Sequence, residues 1–120
     1  MATHAGLAEG GWAALSLAEQ LANVGSEVDR AIAAWAAQRL DRFERSLARA
    51  LELFDLTAGD ARWRGHRRRE ILRWREAFCG LFFDPESPAG AAGGVSAFFL
   101  RFAVLARRNR STAPGGVSLT

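Results

Sequence analysis

The sequence predicts an all-α domain, arranged as an antiparallel up-down four-helix bundle. Apolar residues recur at helical spacing in four segments, no segment alternates as a strand does, and turn-forming residues separate most of the segments. The chain has 120 residues, 49% hydrophobic and 24% charged, which suits one domain with one core. We expect this domain to span residues 16–110, with a flexible N-terminus at 1–15 and a disordered tail at 111–120.

The first predicted helix begins after Ser16. Ser16 and Glu19 have capping-box spacing, in which each side chain accepts a hydrogen bond from the other residue's backbone N–H. Gly25 lies inside this helix at a cost of about 1 kcal/mol relative to alanine, so we predict that another helix crosses closely there. The apolar stripe of the helix consists of Leu17, Leu21, Val24, Val28, Ile32 and Trp35.

The second predicted helix runs from Asp41 to about Leu56, out of phase with the first stripe. Its apolar residues are rotated by roughly 100° about the helix axis from the continuation of that stripe. Asp41 and Glu44 have capping-box spacing at the same point. We therefore predict a break between Ala36 and Leu40. A continuous bent helix is the alternative, since the segment lacks glycine and proline.

The third predicted helix spans about residues 66–83 and the fourth about residues 96–108. Pro85 and Pro88 end the third helix, because helical geometry is disfavoured for the residue before a proline. Small and turn-forming residues at 84–94 then form a loop.

Positive charge is concentrated in the second half of the chain. Residues 1–60 carry five arginines and nine acids, whereas residues 61–120 carry eleven arginines and four acids, and lysine is absent. In an antiparallel bundle the start of the third helix and the end of the fourth lie at one end, so we expect a basic surface there. The candidate nucleic-acid or anion-binding residues are Arg62, Trp63, Arg64, His66, Arg67, Arg69, Arg73, Arg107, Arg108 and Arg110.

A second candidate group is polar and lies beside or within the apolar faces. It consists of Gln20, Asn23, Glu27, Glu52 and Arg75. Arg75 falls among apolar residues and needs an acidic partner, for which Glu27 and Glu52 are the candidates. The group is either an ion-pair network that fixes helix register or a pocket that holds a ligand. A buried pair predicts that Arg75→Ala destabilises the fold by several kcal/mol.

The residues complete no catalytic or metal-binding motif that we recognise, so we expect no enzymatic activity, no metal and no cofactor. The single cysteine and two histidines lack zinc-site spacing. Glu52 and Asp55 match only the last part of the magnesium motif of all-α nucleotide pyrophosphohydrolases of the MazG type. Arg108 and Asn109 match the start of the HEPN-type ribonuclease motif, but no histidine follows at positions 110–116.

Three segments resemble a small, functionally unassigned group of all-α proteins from bacteria and archaea. They read LAEQLANVGSEVDRAI, RALELFDLT and REILRWREAF. The resemblance implies a helical fold and nothing about activity.

The expected function is non-enzymatic binding of an RNA or DNA backbone, as an accessory subunit of a nucleic-acid enzyme, with Trp63 stacking on a base. The alternative is a homo-oligomeric scaffold, because four tryptophans and eight phenylalanines exceed what four short helices readily bury. We expect a homo-oligomer, a protein partner and no membrane contact. The single cysteine and the lack of a signal-peptide pattern favour the cytoplasm.

Overall fold

The computed structural model describes residues 11–112, and side chains for residues 11–110. Four α-helices form most of this part, and no strand occurs in it, so the all-α prediction is confirmed. The helices are α1 (Leu17–Ala36), α2 (Leu40–Ala58), α3 (His66–Phe83) and α4 (Ala91–Thr112). Two 3-10 turns, Trp12–Ala14 and Ala61–Trp63, precede α1 and α3.

Each helix contacts the next along the chain, and α4 also packs against α1. The most extensive contacts are those of α1 with α2 and with α4, whereas α3 contacts α2 and α4 more sparsely. Three buried phenylalanine rings connect α2, α3 and α4: Phe54 of α2, Phe78 of α3 and Phe99 of α4. The centroid of Phe54 lies 5.9 Å from that of Phe78 and 5.6 Å from that of Phe99. Phe54, Phe78 and Phe99 therefore form a buried aromatic contact through which α2, α3 and α4 meet.

The capping box at the start of α1 is confirmed. Ser16 Oγ accepts a hydrogen bond from the Glu19 N–H at 3.1 Å, and Glu19 Oε1 accepts one from the Ser16 N–H at 2.9 Å. Two backbone donors at the helix start are thus satisfied by side chains.

The break between α1 and α2 is also confirmed, and Gln38 makes the turn with a φ of 59°. This left-handed conformation is uncommon for a residue that has a Cβ. The capping box predicted at Asp41 is wrong, because α2 begins one residue earlier, at Leu40. Arg39 takes the cap position and provides no side-chain hydrogen bond.

The two ends of the domain are more ordered than predicted. The flexible N-terminus is wrong for residues 12–15, since Trp12 is 3% exposed and packs in the core. The helix predicted at 96–108 extends from Ala91 to Thr112, and its first turns include Gly93 and Gly94, which helix propensity alone disfavours. Residues 1–10 and 113–120 of the predicted termini lie outside the described residues.

Gly25 lies at a close approach of α1 and α4, as the sequence predicts. A Cβ at this position would lie 2.6 Å from Phe99 Cβ and 3.3 Å from Phe99 Cγ. The absent side chain is therefore what admits Phe99 to the core at this crossing.

We expect Gly25→Ala to destabilise the fold by about 1–3 kcal/mol, although alanine is the better helix former by about 1 kcal/mol. The reason is that Phe99 Cβ is fixed to the α4 backbone and can move only with the helix. The matched control is Gly80→Ala in α3, where the nearest atom would be Asp84 Cβ at 3.8 Å. This control should gain about 0.5–1 kcal/mol. Urea unfolding measures both changes, and a gain in stability from Gly25→Ala would contradict the packing argument.

Candidate basic surface

Arg62, the first arginine of the basic segment 62–75, is exposed but is held by contacts within the protein. Its Nη2 donates to Asp60 Oδ2 at 2.7 Å and to the Leu15 carbonyl at 2.8 Å. Its guanidinium carbon lies 4.5 Å from the centroid of the Trp63 ring, a cation–π contact. Arg62 therefore links the 3-10 turn before α3 to the segment before α1 at the surface of the domain.

Trp63 is half-buried against the core, and its Nε1 donates to Gln20 Oε1 at 2.8 Å. Arg62 covers part of the same ring. Base stacking by Trp63 stays a prediction, and the core and Arg62 already cover part of the indole surface that a base would need.

Five other basic residues of the segment 62–75 are exposed, and we call them the α3 basic surface: Arg64, His66, Arg67, Arg69 and Arg73. Among residues 11–110, none of these five side chains has a hydrogen bond or ion pair to another side chain. Gly65 occupies the N-cap position of α3 with a φ of 75°, and it has no side chain that could accept a hydrogen bond from the helix start. No acid occurs in the first turn. Open N–H groups, the positive end of the helix dipole and basic side chains therefore coincide at this helix start.

A separate basic group lies at the C-terminal end of α4 and comprises Arg107, Arg108 and Arg110, all exposed. Cations at a helix C-terminus interact favourably with the helix dipole. This position therefore stabilises α4 whether or not a ligand is bound.

The predicted buried polar group does not form one cluster. Gln20 is fully buried, and Glu27 is 6% exposed. Asn23 is exposed and its Nδ2 donates to the Glu19 carbonyl at 2.8 Å. Glu52 is half-buried on α2.

The prediction that Arg75 is buried and pairs with Glu27 or Glu52 is wrong. Arg75 Nε donates to Asp55 Oδ1 at 3.0 Å, and the two side chains are 33% and 63% exposed. Asp55 follows Glu52 by three residues on α2, and it is this later position that meets α3. A pair so open to solvent contributes about 0–1 kcal/mol, so the large cost expected of Arg75→Ala does not apply.

Gln20 is instead the centre of a polar network. Its Nε2 donates to the Trp12 carbonyl at 2.9 Å and to Asp60 Oδ2 at 3.0 Å, while its Oε1 accepts from Trp63. Trp12 Nε1 donates to Thr57 Oγ1 at 3.2 Å. Because the Gln20 amide uses its oxygen and both N–H donors on protein partners, the network favours a structural role over a ligand pocket. Sequence reasoning missed Trp12, Thr57 and Asp60, since only their positions in the folded chain bring them to Gln20.

The hydrogen bonds from Arg62 hold the pKa of the Asp60 carboxyl well below its ordinary value of 3.8. Burial of the carboxyl opposes this effect, and the hydrogen bond from Gln20 reinforces it. Asp60 is therefore a carboxylate throughout the neutral range, and the charge of Arg62 is locally compensated.

No protein-family model, curated protein or solved structure matches this chain. The resemblance to an all-helical group thus stays a prediction from three segments. In the described part of the chain, no group of three or more His, Cys, Asp or Glu side chains could hold a metal ion. No helix of that part is long and apolar enough to span a bilayer.

We expect Gln20→Ala to destabilise the fold by about 3 kcal/mol, because Trp63 Nε1 and the Trp12 carbonyl would lose a partner in the interior. Asn23→Ala on the exposed side of the same helix is the control and should change the free energy of unfolding by less than about 0.5 kcal/mol. Thermal unfolding followed by circular dichroism measures both. Equal losses from the two variants would show that the network has no special importance.

We expect the lowered pKa of Asp60 to make stability depend on acidity. Because the folded-state pKa lies below the unfolded value of about 3.9, the contribution is complete above about pH 5 and is lost as the pH falls further. Melting temperatures between about pH 6 and pH 3 test this. Asp60→Asn removes the ionisation, so its melting temperature should fall less over that range than that of the unaltered protein. If the melting temperatures of the two proteins fall in parallel with pH, Asp60 is not the source of the acid dependence.

Proposed function

We propose that the protein is a non-enzymatic binder of an RNA or DNA backbone and that the α3 basic surface contacts the phosphates. The observation that carries the proposal is the concentration of exposed basic side chains at an α3 start that has no acid in its first turn. Positively charged side chains at the positive end of a helix dipole destabilise the helix start. A bound phosphate offsets this unfavourable electrostatic interaction.

Contacts within the protein hold Arg62 and cover part of the Trp63 ring. The proposed binding residues are therefore the exposed side chains of the α3 basic surface. Without an exposed aromatic side chain from this segment, we expect binding to depend on phosphate contacts, which carry little sequence information. RNA and DNA single strands should therefore bind with similar affinity at a given salt concentration.

The predicted antiparallel up-down arrangement would extend this surface. In that arrangement the end of α4 lies beside the start of α3, so Arg107, Arg108 and Arg110 would continue the line of charge. Action as a cytoplasmic accessory subunit beside a nucleic-acid enzyme is part of the same proposal and would require a protein partner.

The alternative is a homo-oligomeric scaffold, favoured by apolar side chains exposed near the ends of three helices. Trp35 is 42% exposed, Leu40 62% and Phe83 63%. They are connected, since the Trp35 ring lies 5.4 Å from that of Phe82, and Phe82 lies 6.2 Å from Phe83. Trp35 and Leu40 also line one surface depression. A contiguous apolar surface of this kind is typical of a contact between subunits.

Fluorescence anisotropy with a labelled single-stranded RNA, measured over a range of salt concentrations, tests the nucleic-acid proposal. We expect log K to fall linearly with log salt, and Arg67→Gln to reduce the steepness by about one phosphate contact, a slope change of about 0.7. Arg101→Gln removes the same charge from α4 outside the proposed surface and should leave the slope unchanged.

If Arg67→Gln and Arg101→Gln reduce the affinity for RNA and the salt slope equally, binding depends only on the net charge, and the proposed site is contradicted. Absence of binding at low salt, together with an oligomer that light scattering detects at both low and high salt, would favour the scaffold instead. Nucleic-acid binding by an oligomer would unite the two functions.

A further inference from the structure

A cleft of about 510 Å³ lies between the C-terminal half of α1 and the N-terminal half of α2. We call it the α1–α2 cleft. The half of the chain that forms it has a formal charge of −4, yet every arginine of residues 1–60 lines this one cavity. These arginines are Arg30, Arg39, Arg42, Arg45 and Arg49.

Glu27 orients two of the arginines from the interior. Its Oε2 accepts from Arg30 Nη1 at 2.8 Å, and its Oε1 accepts from Arg49 Nε at 3.2 Å, while its own side chain is 8% exposed. Each guanidinium has further N–H donors, because one arginine carries five. The Glu27 carboxylate therefore fixes two guanidinium groups at the cleft without saturating them.

The cleft retains excess positive charge. Arg45 lies 3.8 Å from Asp41, a long contact between side chains that are 64% and 80% exposed. Arg39 and Arg42 are exposed and have no ion pair with another residue of the 11–110 range. The carboxylates of Glu27 and Asp41 thus pair with three of the five arginines, and the sum of five positive and two negative charges is a formal +3. Such a concentration of like charge attracts an anion.

Ser46 gives an independent indication of a ligand. It lines the cleft, is 4% exposed, and its hydroxyl forms no hydrogen bond with any residue whose side chain is described. A buried hydroxyl normally has a partner, because leaving it unsatisfied is unfavourable. An oxygen of a bound anion would provide that partner beside the guanidinium groups.

We propose that the α1–α2 cleft binds a small ligand through a chain of two or three phosphate groups. Guanidinium groups match phosphate oxygens in bidentate geometry, and a triphosphate carries roughly −3 to −4, close to the excess charge of the cleft. The cavity volume falls within the range of roughly 300–1,000 Å³ that is typical of small-molecule sites. The site shares no residue with the α3 basic surface, so the inference stands independently of the proposed nucleic-acid binding.

Isothermal titration calorimetry of the full chain tests this inference with inorganic tripolyphosphate, a nucleoside triphosphate and inorganic phosphate at one ionic strength. We expect both triphosphates to bind one per chain and at least tenfold more tightly than inorganic phosphate. Arg42→Gln should weaken the binding of tripolyphosphate about tenfold, and Ser46→Ala about threefold, because each removes a hydrogen-bond donor to the anion. Arg101→Gln removes one positive charge from α4 and should change Kd less than about twofold.

Comparison of the two triphosphates identifies the source of the ligand. Equal affinity means that the phosphate chain alone is recognised. Tighter binding of the nucleoside triphosphate means that its base contacts the three alanines that also line the cleft, Ala33, Ala34 and Ala37. Either result supports the site.

The absence of heat from both triphosphates, with the melting temperature of the protein unchanged, would overturn the inference. So would an equal loss of affinity in Arg101→Gln and Arg42→Gln, since this would indicate attraction by net charge. If Arg42→Gln instead reduces the affinity for single-stranded RNA as much as Arg67→Gln does, the cleft is part of the nucleic-acid surface and not a small-molecule site.

Discussion

The start of α3 depends on one buried side chain, the amide of Gln20. Its three hydrogen bonds reach the Trp12 carbonyl, the Asp60 carboxylate and the Trp63 indole, which belong to segments before α1 and before α3. These partners lie 8 to 43 residues away along the chain. Because a buried amide left without partners is unfavourable, the segments cannot shift independently. The position from which the basic residues of α3 emerge therefore follows from a polar contact inside the domain.

The same contact separates two roles within one arginine-rich segment. Asp60 binds Arg62, and Arg62 covers part of the Trp63 ring, so contacts within the domain already use this arginine. Arg64, His66 and Arg67 at the start of α3 are exposed, and the first turn of the helix contains no acid. Glu27 acts similarly in the first half of the chain, where it fixes Arg30 and Arg49 while Arg39 and Arg42 remain open. In both places a nearly buried carboxylate binds part of an arginine cluster, and other arginines of the cluster stay exposed.

The sequence predicts the local features of this fold well and the long-range ones poorly. The cap at Ser16, the break before Leu40 and the span of α3 follow from patterns within a few residues. The crossing at Gly25 is predictable because an interior glycine has a known cost in a helix. In contrast, the choice of Asp55 over Glu52 as the partner of Arg75 depends on how α2 meets α3, a relation that helical periodicity does not contain. The burial of Trp12 depends in the same way on Thr57, 45 residues away.

The formal charge of each half of the chain does not predict where positive charge lies on the protein surface. Three ion pairs of the described part, Arg30–Glu27, Arg49–Glu27 and Arg45–Asp41, join residues within the first half, so acids there neutralise their own arginines only in part. A formal −4 therefore coexists with a positive cleft, because five arginines and no acidic residue line the cleft. Asp29, for example, accepts a hydrogen bond from Ser96 on α4 at 2.8 Å. The distribution of charge over helix faces, and not its sum along the chain, determines where positive surfaces form, and here it gives the α3 basic surface and the α1–α2 cleft.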